Sequence, residues 1–211
     1  MDDDRTSPPS AKDAESAKTA KEAARREILE RLATIDPATA HRSAERLADR
    51  VMSLPETAAA RSVLACLSFG EEIDTHGLVK RLLASGRAVY VPRADPRDRM
   101  LHVHRYPCAL ETLSFGLSQP RRGDPEVPAD RIDATIDLVL VLGLGFDRRG
   151  IRLGHGGGYF DRFFAAHPLP AVGVAYELQM NERLPSEPHD LPMTVVVTDE
   201  AVHRPAGSAG L

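Results

Sequence analysis

Five consecutive apolar residues, Leu138 to Leu142, run straight into a stretch with seven glycines in sixteen residues, Gly143 to Gly158. That junction constrains the fold more than any other feature of the chain. A run this short, rich in Val and bounded by Gly, predicts a strand buried on both faces. Arg148, Arg149 and Arg152 are interleaved with the glycines, and Tyr159, Phe160 and Asp161 follow. Phe163 and Phe164 then predict a helix packing back onto the sheet. Strand, glycine-rich basic loop and helix start form a phosphate-binding arrangement. Glycines let the backbone approach an anion, amide hydrogens point at it, and the helix N-terminus favours negative charge.

Two common phosphate loops are excluded. No Lys in the chain follows a Gly, so there is no Walker ending. Gly143-Leu144-Gly145 opens a dinucleotide pattern, but Arg148 stands where its third Gly belongs. The bland alternative, a linker rich in Gly only for mobility, does not account for the arginines, aromatic pair and acid beside it.

The rest of the chain reads as α/β. Ala24, Ile28, Leu32 and Ile35 define one face of a helix starting near Ala17. Asp36 and Pro37 are the N-cap and first residue of a second helix, with Ala40, Ala44, Leu47, Val51 and Leu54 as its stripe and Pro55 as its stop. Residues 62–68 predict a strand, 69–75 a loop, 76–85 a helix capped by Asp74 or Thr75 and ended by Gly86, and 88–92 a second strand. Strand, helix and strand in so few residues make a βαβ unit with parallel strands. Residues 100–106 alternate, with His102 and His104 on one face, read as a solvent-facing strand. An H-x-H pair can hold a metal, but no third ligand is evident. Residues 107–136 read as a long irregular connection, 171–176 and 194–198 as further strands, and 181–193 as loop.

The expected architecture is a single three-layer α/β domain, its mainly parallel sheet flanked by helices, over residues 16–203. Residues 1–15 and 204–211 are expected to be tails. The net charge of −4 argues against a nucleic-acid or membrane partner. No apolar stretch approaches a membrane span, and the acidic start lacks signal-peptide features. Two cysteines, Cys66 and Cys108, suit a reducing cytoplasm, and a monomer is expected.

In a parallel sheet ligands bind at the carboxyl ends of strands, so the loops after Ser68, Val91 and Leu142 should converge. That would bring Glu72, Arg93 and Arg152 together. Lys21 and Arg25, four apart on the first helix, either form a solvated stripe or join Arg93 and Arg152 around a polyphosphate. Asp161 and Asp190 can hold a magnesium ion, though a helix cap and a turn residue are their ordinary roles. The residues alone give nucleotide or phosphate binding and name no reaction.

The pattern GLGFD-x-x-G-x-RLG-x-G-x-GY-x-D, Gly143 to Asp161, resembles the signature of the 5-formyltetrahydrofolate cyclo-ligase family, the methenyltetrahydrofolate synthetases. Lys21-x-x-x-Arg25, Phe69-x-x-Glu72-Ile73-Asp74-Thr75, Val91-Pro92-Arg93, Gln119-Pro120 and Asp190 fit other family segments, so the resemblance spans about residues 18–200. It implies an ATP- and magnesium-dependent cyclisation of 5-formyltetrahydrofolate to 5,10-methenyltetrahydrofolate, with ADP and phosphate released. It further implies ATP contacts from Lys21, Arg25, Arg152 and residues Gly154, His155, Gly156, Gly157, Gly158, Tyr159 and Phe160. Folate contacts are implied for Phe69, Glu72, Arg93, Tyr159 and the loop from His155 to Gly158, and magnesium ligands for Asp161 and Asp190. Arg152, Tyr159 and Asp161 would be the catalytic residues. Phe160 stands where many members have Tyr, and His155 where Tyr or Arg is frequent. Two other readings are weighed: a non-catalytic folate- or nucleotide-binding relative, and, from fold analogy alone, an enzyme handling phosphosugars or coenzyme A.

Overall fold

The computed structural model describes residues 11–187 and 190–205. The chain runs through α1 (Ala11–Leu32), α2 (Pro37–Met52), α3 (Pro55–Ala59), β1 (Ser62–Ala65), α4 (His76–Ala84), β2 (Ala88–Asp95), β3 (Met100–Tyr106), β4 (Leu110–Thr112) and β5 (Ser118–Pro120). It continues through α5 (Ile132–Thr135), β6 (Leu138–Val141), β7 (Gly145–Asp147), β8 (Arg152–Leu153), α6 (Tyr159–Ala166), β9 (Ala171–Ala175), β10 (Met180–Asn181), β11 (Val195–Thr198) and β12 (Val202–His203).

Seven strands form the main sheet in the order β12-β11-β9-β6-β1-β2-β3. The five inner strands are parallel, and β3 and β12 pair antiparallel at the edges. Every residue of β1, β6, β9 and β11 is buried, as continuous apolar runs in a sheet flanked by helices require. From β1 the chain moves to β2 on one side and later to β6 on the other. The sheet therefore reverses its winding between β1 and β6, the crevice where such folds bind ligands.

Local chemistry sets the element ends. The Asp36 carboxylate accepts from the amides of Ala38 and Thr39, capping α2, with Pro37 in its first turn. Pro55 both ends the approach from α2 and opens α3. Asp74 accepts from the His76 amide at the start of α4. Thr75 is not a side-chain cap there: its hydroxyl donates to the Cys66 carbonyl and accepts from the Ser68 amide, folding the 69–75 loop back onto the end of β1. Asp137 takes the amides of Arg61 and Ser62 and the Ser62 hydroxyl, fixing how β6 enters beside β1.

Four expectations need correction. Helix α1 begins at Ala11, because its Ala, Lys and Glu are strong helix formers; residues 1–10 lie outside the described residues. Residues 107–136 contain the antiparallel pair β4–β5. His104 is buried rather than solvent-facing, its Nδ1–H donating to the Pro125 carbonyl, because that connection covers the outer face of β3. Arg204 pairs with Glu56 at 2.6 Å and Pro205 is buried, so the chain is anchored through residue 205; 206–211 lie outside the described residues.

The glycine stretch also divides. β7 and β8 form a hairpin within a small three-stranded sheet with β10. Gly150 turns that hairpin at φ +81°, with the Met193 carbonyl 2.8 Å from where a Cβ would stand. Arg149 is held by Asp147 and the Leu184 carbonyl, and Arg148 by Glu182 at the surface. Only the part from Arg152 onward faces the crevice.

Candidate active site

A cavity of about 1000 Å³ opens over the carboxyl ends of β1, β2 and β6, lined there by Cys66, Leu67, Pro92, Ala94 and Leu142. One end is charged. Helix α1 supplies Lys21 and Arg25, β8 supplies Arg152, and the loop Gly154–Gly158 leads into α6 with Asp161 in its first turn. The loop needs its glycines: Gly156 has φ +98° and Gly158, the residue before α6, φ +66°. Arg25 organises it from below. Its Nε donates to the Gly154 carbonyl at 2.9 Å, and its guanidinium lies 3.5 Å from where a Gly156 Cβ would stand.

Arg152 and Lys21 pair with carboxylates. Arg152 Nη2 donates to Asp161 Oδ1 at 3.0 Å and its guanidinium sits 5.3 Å from the centre of the Phe160 ring. Lys21 Nζ donates to Glu187 Oε2 at 2.7 Å and Asp190 Oδ2 at 2.9 Å. Burial alone would lower the Lys21 pKa; these two carboxylates outweigh it and hold the ammonium above the usual lysine value.

The other end is apolar and aromatic. Phe69, Leu101, Leu113, Phe115 and Leu117 face it, and the Phe69 and Phe115 rings meet edge to face at 5.7 Å. Glu72 is the acid here. One oxygen accepts from the Phe69 amide at 3.1 Å, and the other lies 3.1 Å from His155 Nε2. His155 stacks at 5.4 Å from Phe69, so the glycine loop and the 69–75 loop touch across the cavity. Cys66 lines the same wall, but burial pushes its pKa up to about 12, which leaves a neutral thiol and no nucleophile.

All the residues singled out from the sequence line this cavity except Arg93. β2 alternates: Pro92 and Ala94 face the cavity, while Arg93 turns to the opposite face and is buried against Asp95 at 3.2 Å. Sequence reasoning missed Phe115, Leu101 and Glu187. The alternation Leu113-x-Phe115-x-Leu117 was a signal; Glu187, in a Pro-rich loop, offered none.

Asp161 and Asp190, carboxylates lining the cavity beside Arg152 and Lys21, are oxygen donors of the kind that could hold a divalent cation. Asp95, Asp98 and His102 also bring ligand atoms within 4.8 Å of one another. They lie outside the cavity, and Asp95 is already held by Arg93 and Arg97, with Arg122 3.7 Å away, so a cation is disfavoured there. No described helix is long and apolar enough to cross a membrane.

A model of the 5-formyltetrahydrofolate cyclo-ligase family matches residues 17–199. The chain is 30% identical to the 5-formyltetrahydrofolate cyclo-ligase of Escherichia coli over 182 residues, 83% of this chain and 98% of that one. It is 35% identical to that of Mycolicibacterium smegmatis over 145 residues, 65% and 73% of the two chains. The fold is similar to the solution NMR structure of Aquifex aeolicus 5,10-methenyltetrahydrofolate synthetase, with a TM-score of 0.75, 28% identity and coverage of 90% and 95%. The match extends over the central sheet, the cavity and the loops around it, and the chain belongs to the 5-formyltetrahydrofolate cyclo-ligase family and is an enzyme of that family.

Proposed function

We propose that the chain uses ATP and magnesium to convert 5-formyltetrahydrofolate to 5,10-methenyltetrahydrofolate, releasing ADP and phosphate. One observation carries this reading: a glycine loop with cations and an aromatic wall with a carboxylate face each other across one cavity, joined by the His155–Glu72 contact. Two ligands, one polyanionic and one flat and hydrogen-bonding, would meet there.

The chemistry follows from those two ends. A formamide oxygen is a poor leaving group. Transfer of the terminal phosphoryl of ATP to it breaks the bond to ADP and makes an acyl-type phosphate; the folate N10 then attacks the activated carbon, phosphate departs with the electrons of the carbon–oxygen bond, and the N10 proton leaves to solvent. Phosphoryl transfer depends mostly on positioning and charge neutralisation. Arg152, Lys21 and the amides of the glycine loop supply donors for the phosphates. Magnesium, held by Asp161 and Asp190, would add charge neutralisation on the phosphates. Phe69 and Phe115 offer faces to the pteridine, and Glu72 accepts its amino and ring hydrogens. Phe160 keeps an aromatic ring beneath Arg152, so the hydroxyl it lacks is not needed for that contact. The reading is of a monomeric enzyme in a reducing cytoplasm, a compartment that the two free cysteines suit.

Turnover tests the proposal. With ATP, magnesium and 5-formyltetrahydrofolate, the methenyl product's absorbance should rise and ADP should form in equal amount. Binding of both ligands without product would overturn it.

A further inference from the structure

Glu72 and Phe69, the carboxylate and the ring proposed to receive the pteridine, already hold a side chain of the protein itself. His155 Nε2–H donates to Glu72 Oε1 at 3.1 Å, and the His155 ring stacks on Phe69 with centres 5.4 Å apart and planes 34° apart. A flat ring that donates an N–H to Glu72 and lies against Phe69 is also a description of the bound pteridine. Glu72 has no second face to offer: its side chain is 6% exposed, and its other oxygen takes the Phe69 amide. The His155 side chain is 48% exposed and is flanked by Gly154 and by Gly156 at φ +98°. It is the one residue with a side chain between Gly154 and Gly158, so it can swing away without repacking any core.

From this we propose that His155 is a stand-in for the pteridine, a latch that closes the folate subsite of the free chain and that the substrate displaces on entry. The inference rests on the folate reading above. Imidazole and pteridine cannot both take Glu72 Oε1 and the same face of Phe69. The two therefore compete, and the apparent affinity for folate is the intrinsic affinity reduced by the fraction of chains whose latch is open. The exchange replaces like with like. Glu72 passes from one N–H to another and Phe69 from one ring to another, so the carboxylate is not left buried and unpaired at any stage. His155 thereby limits folate affinity without making a contact to bound folate.

Titration calorimetry with 5-formyltetrahydrofolate, without nucleotide, measures this without turnover. His155→Ala should bind about five- to tenfold more tightly than the wild-type chain, the gain expected when the latch is closed in about 80–90% of free molecules. His155→Gln, which keeps an N–H for Glu72 but no ring for Phe69, should fall between the two. In the wild-type chain, NMR should show a cross-relaxation peak between the His155 and Phe69 ring protons that disappears when folate saturates the site. Equal or weaker folate binding by His155→Ala, or a His155–Phe69 peak that persists at saturation, would overturn the latch and leave the folate reading standing. Failure of both the wild-type chain and His155→Ala to bind 5-formyltetrahydrofolate would overturn the folate reading and the latch with it.

Discussion

Arg152 and Asp161 lie nine residues apart in sequence and 3.0 Å apart across the start of α6, the arginine side chain 7% exposed and the aspartate 37%. The group proposed to hold phosphate thus pairs with the group proposed to hold magnesium. Replacing Arg152 by Ala removes a charge-assisted contact that contributes about 1.5–3 kcal/mol, so nucleotide binding should weaken at least about tenfold. Calorimetry with magnesium-ATP reads it directly. Unchanged affinity would remove Arg152 from the phosphate site.

Phe115 is 61% exposed, the most exposed large apolar side chain among the described residues, yet it faces Phe69 over the cavity. An aromatic left open beside a second aromatic is suited to stacking on a flat ring. Phe115→Ala should raise the KM for 5-formyltetrahydrofolate by about five- to tenfold, consistent with about 1–1.5 kcal/mol for an aromatic pair. The KM for ATP should hold. A rise in both constants would place Phe115 in loop closure rather than in the folate subsite.

Asp137 makes a prediction about stability and pH. Burial alone would raise its pKa, but the Arg61 and Ser62 amides and the Ser62 hydroxyl hold it below the usual carboxylate value. A depressed native pKa adds stability that is present above the unfolded value and lost as pH falls through the native one. Asp137→Ala should therefore destabilise the chain by about 1 kcal/mol at neutral pH. Denaturant melts of mutant and wild type should converge as the solution is acidified. A gap independent of pH would show that the carboxylate charge is irrelevant.

Gly173 sits in the middle of β9, with the Phe146 ring 2.5 Å from where a Cβ would stand. Phe146 is fully buried and has no room to retreat. Gly173→Ala should cost about 1–3 kcal/mol by overpacking, seen as a lower Tm, with substrate KM values unchanged in the folded fraction. An unshifted Tm would mean that the small β7–β8–β10 sheet yields freely.

The parallel core was legible because buried strands such as Leu138–Val141 and Ala171–Ala175 are continuous runs without a polar side chain, and Asp36-Pro37 and Gly86 punctuate helices by simple sterics. What failed was short-range. β7 and β8 hold three and two residues, too few for a period, so a hairpin read as a single loop. Arg93 was misplaced because the end of β2 was set at Pro92; the strand runs to Asp95, and the alternation then turns Arg93 to the far face. Lys21 and Arg25 had the spacing of a solvated stripe. Only tertiary packing of α1 against the Gly154 and Glu187 loops shows that they line the cavity. Glu187 acquires its partner from a residue 166 positions away, which no local pattern encodes.

The most direct test of the central claim is a turnover measurement on the wild-type chain with 5-formyltetrahydrofolate, ATP and magnesium, following methenyl product and ADP together. The account predicts stoichiometric formation of the two, dependent on all three additions. ADP release without methenyl product, or no product while both ligands bind, would contradict it.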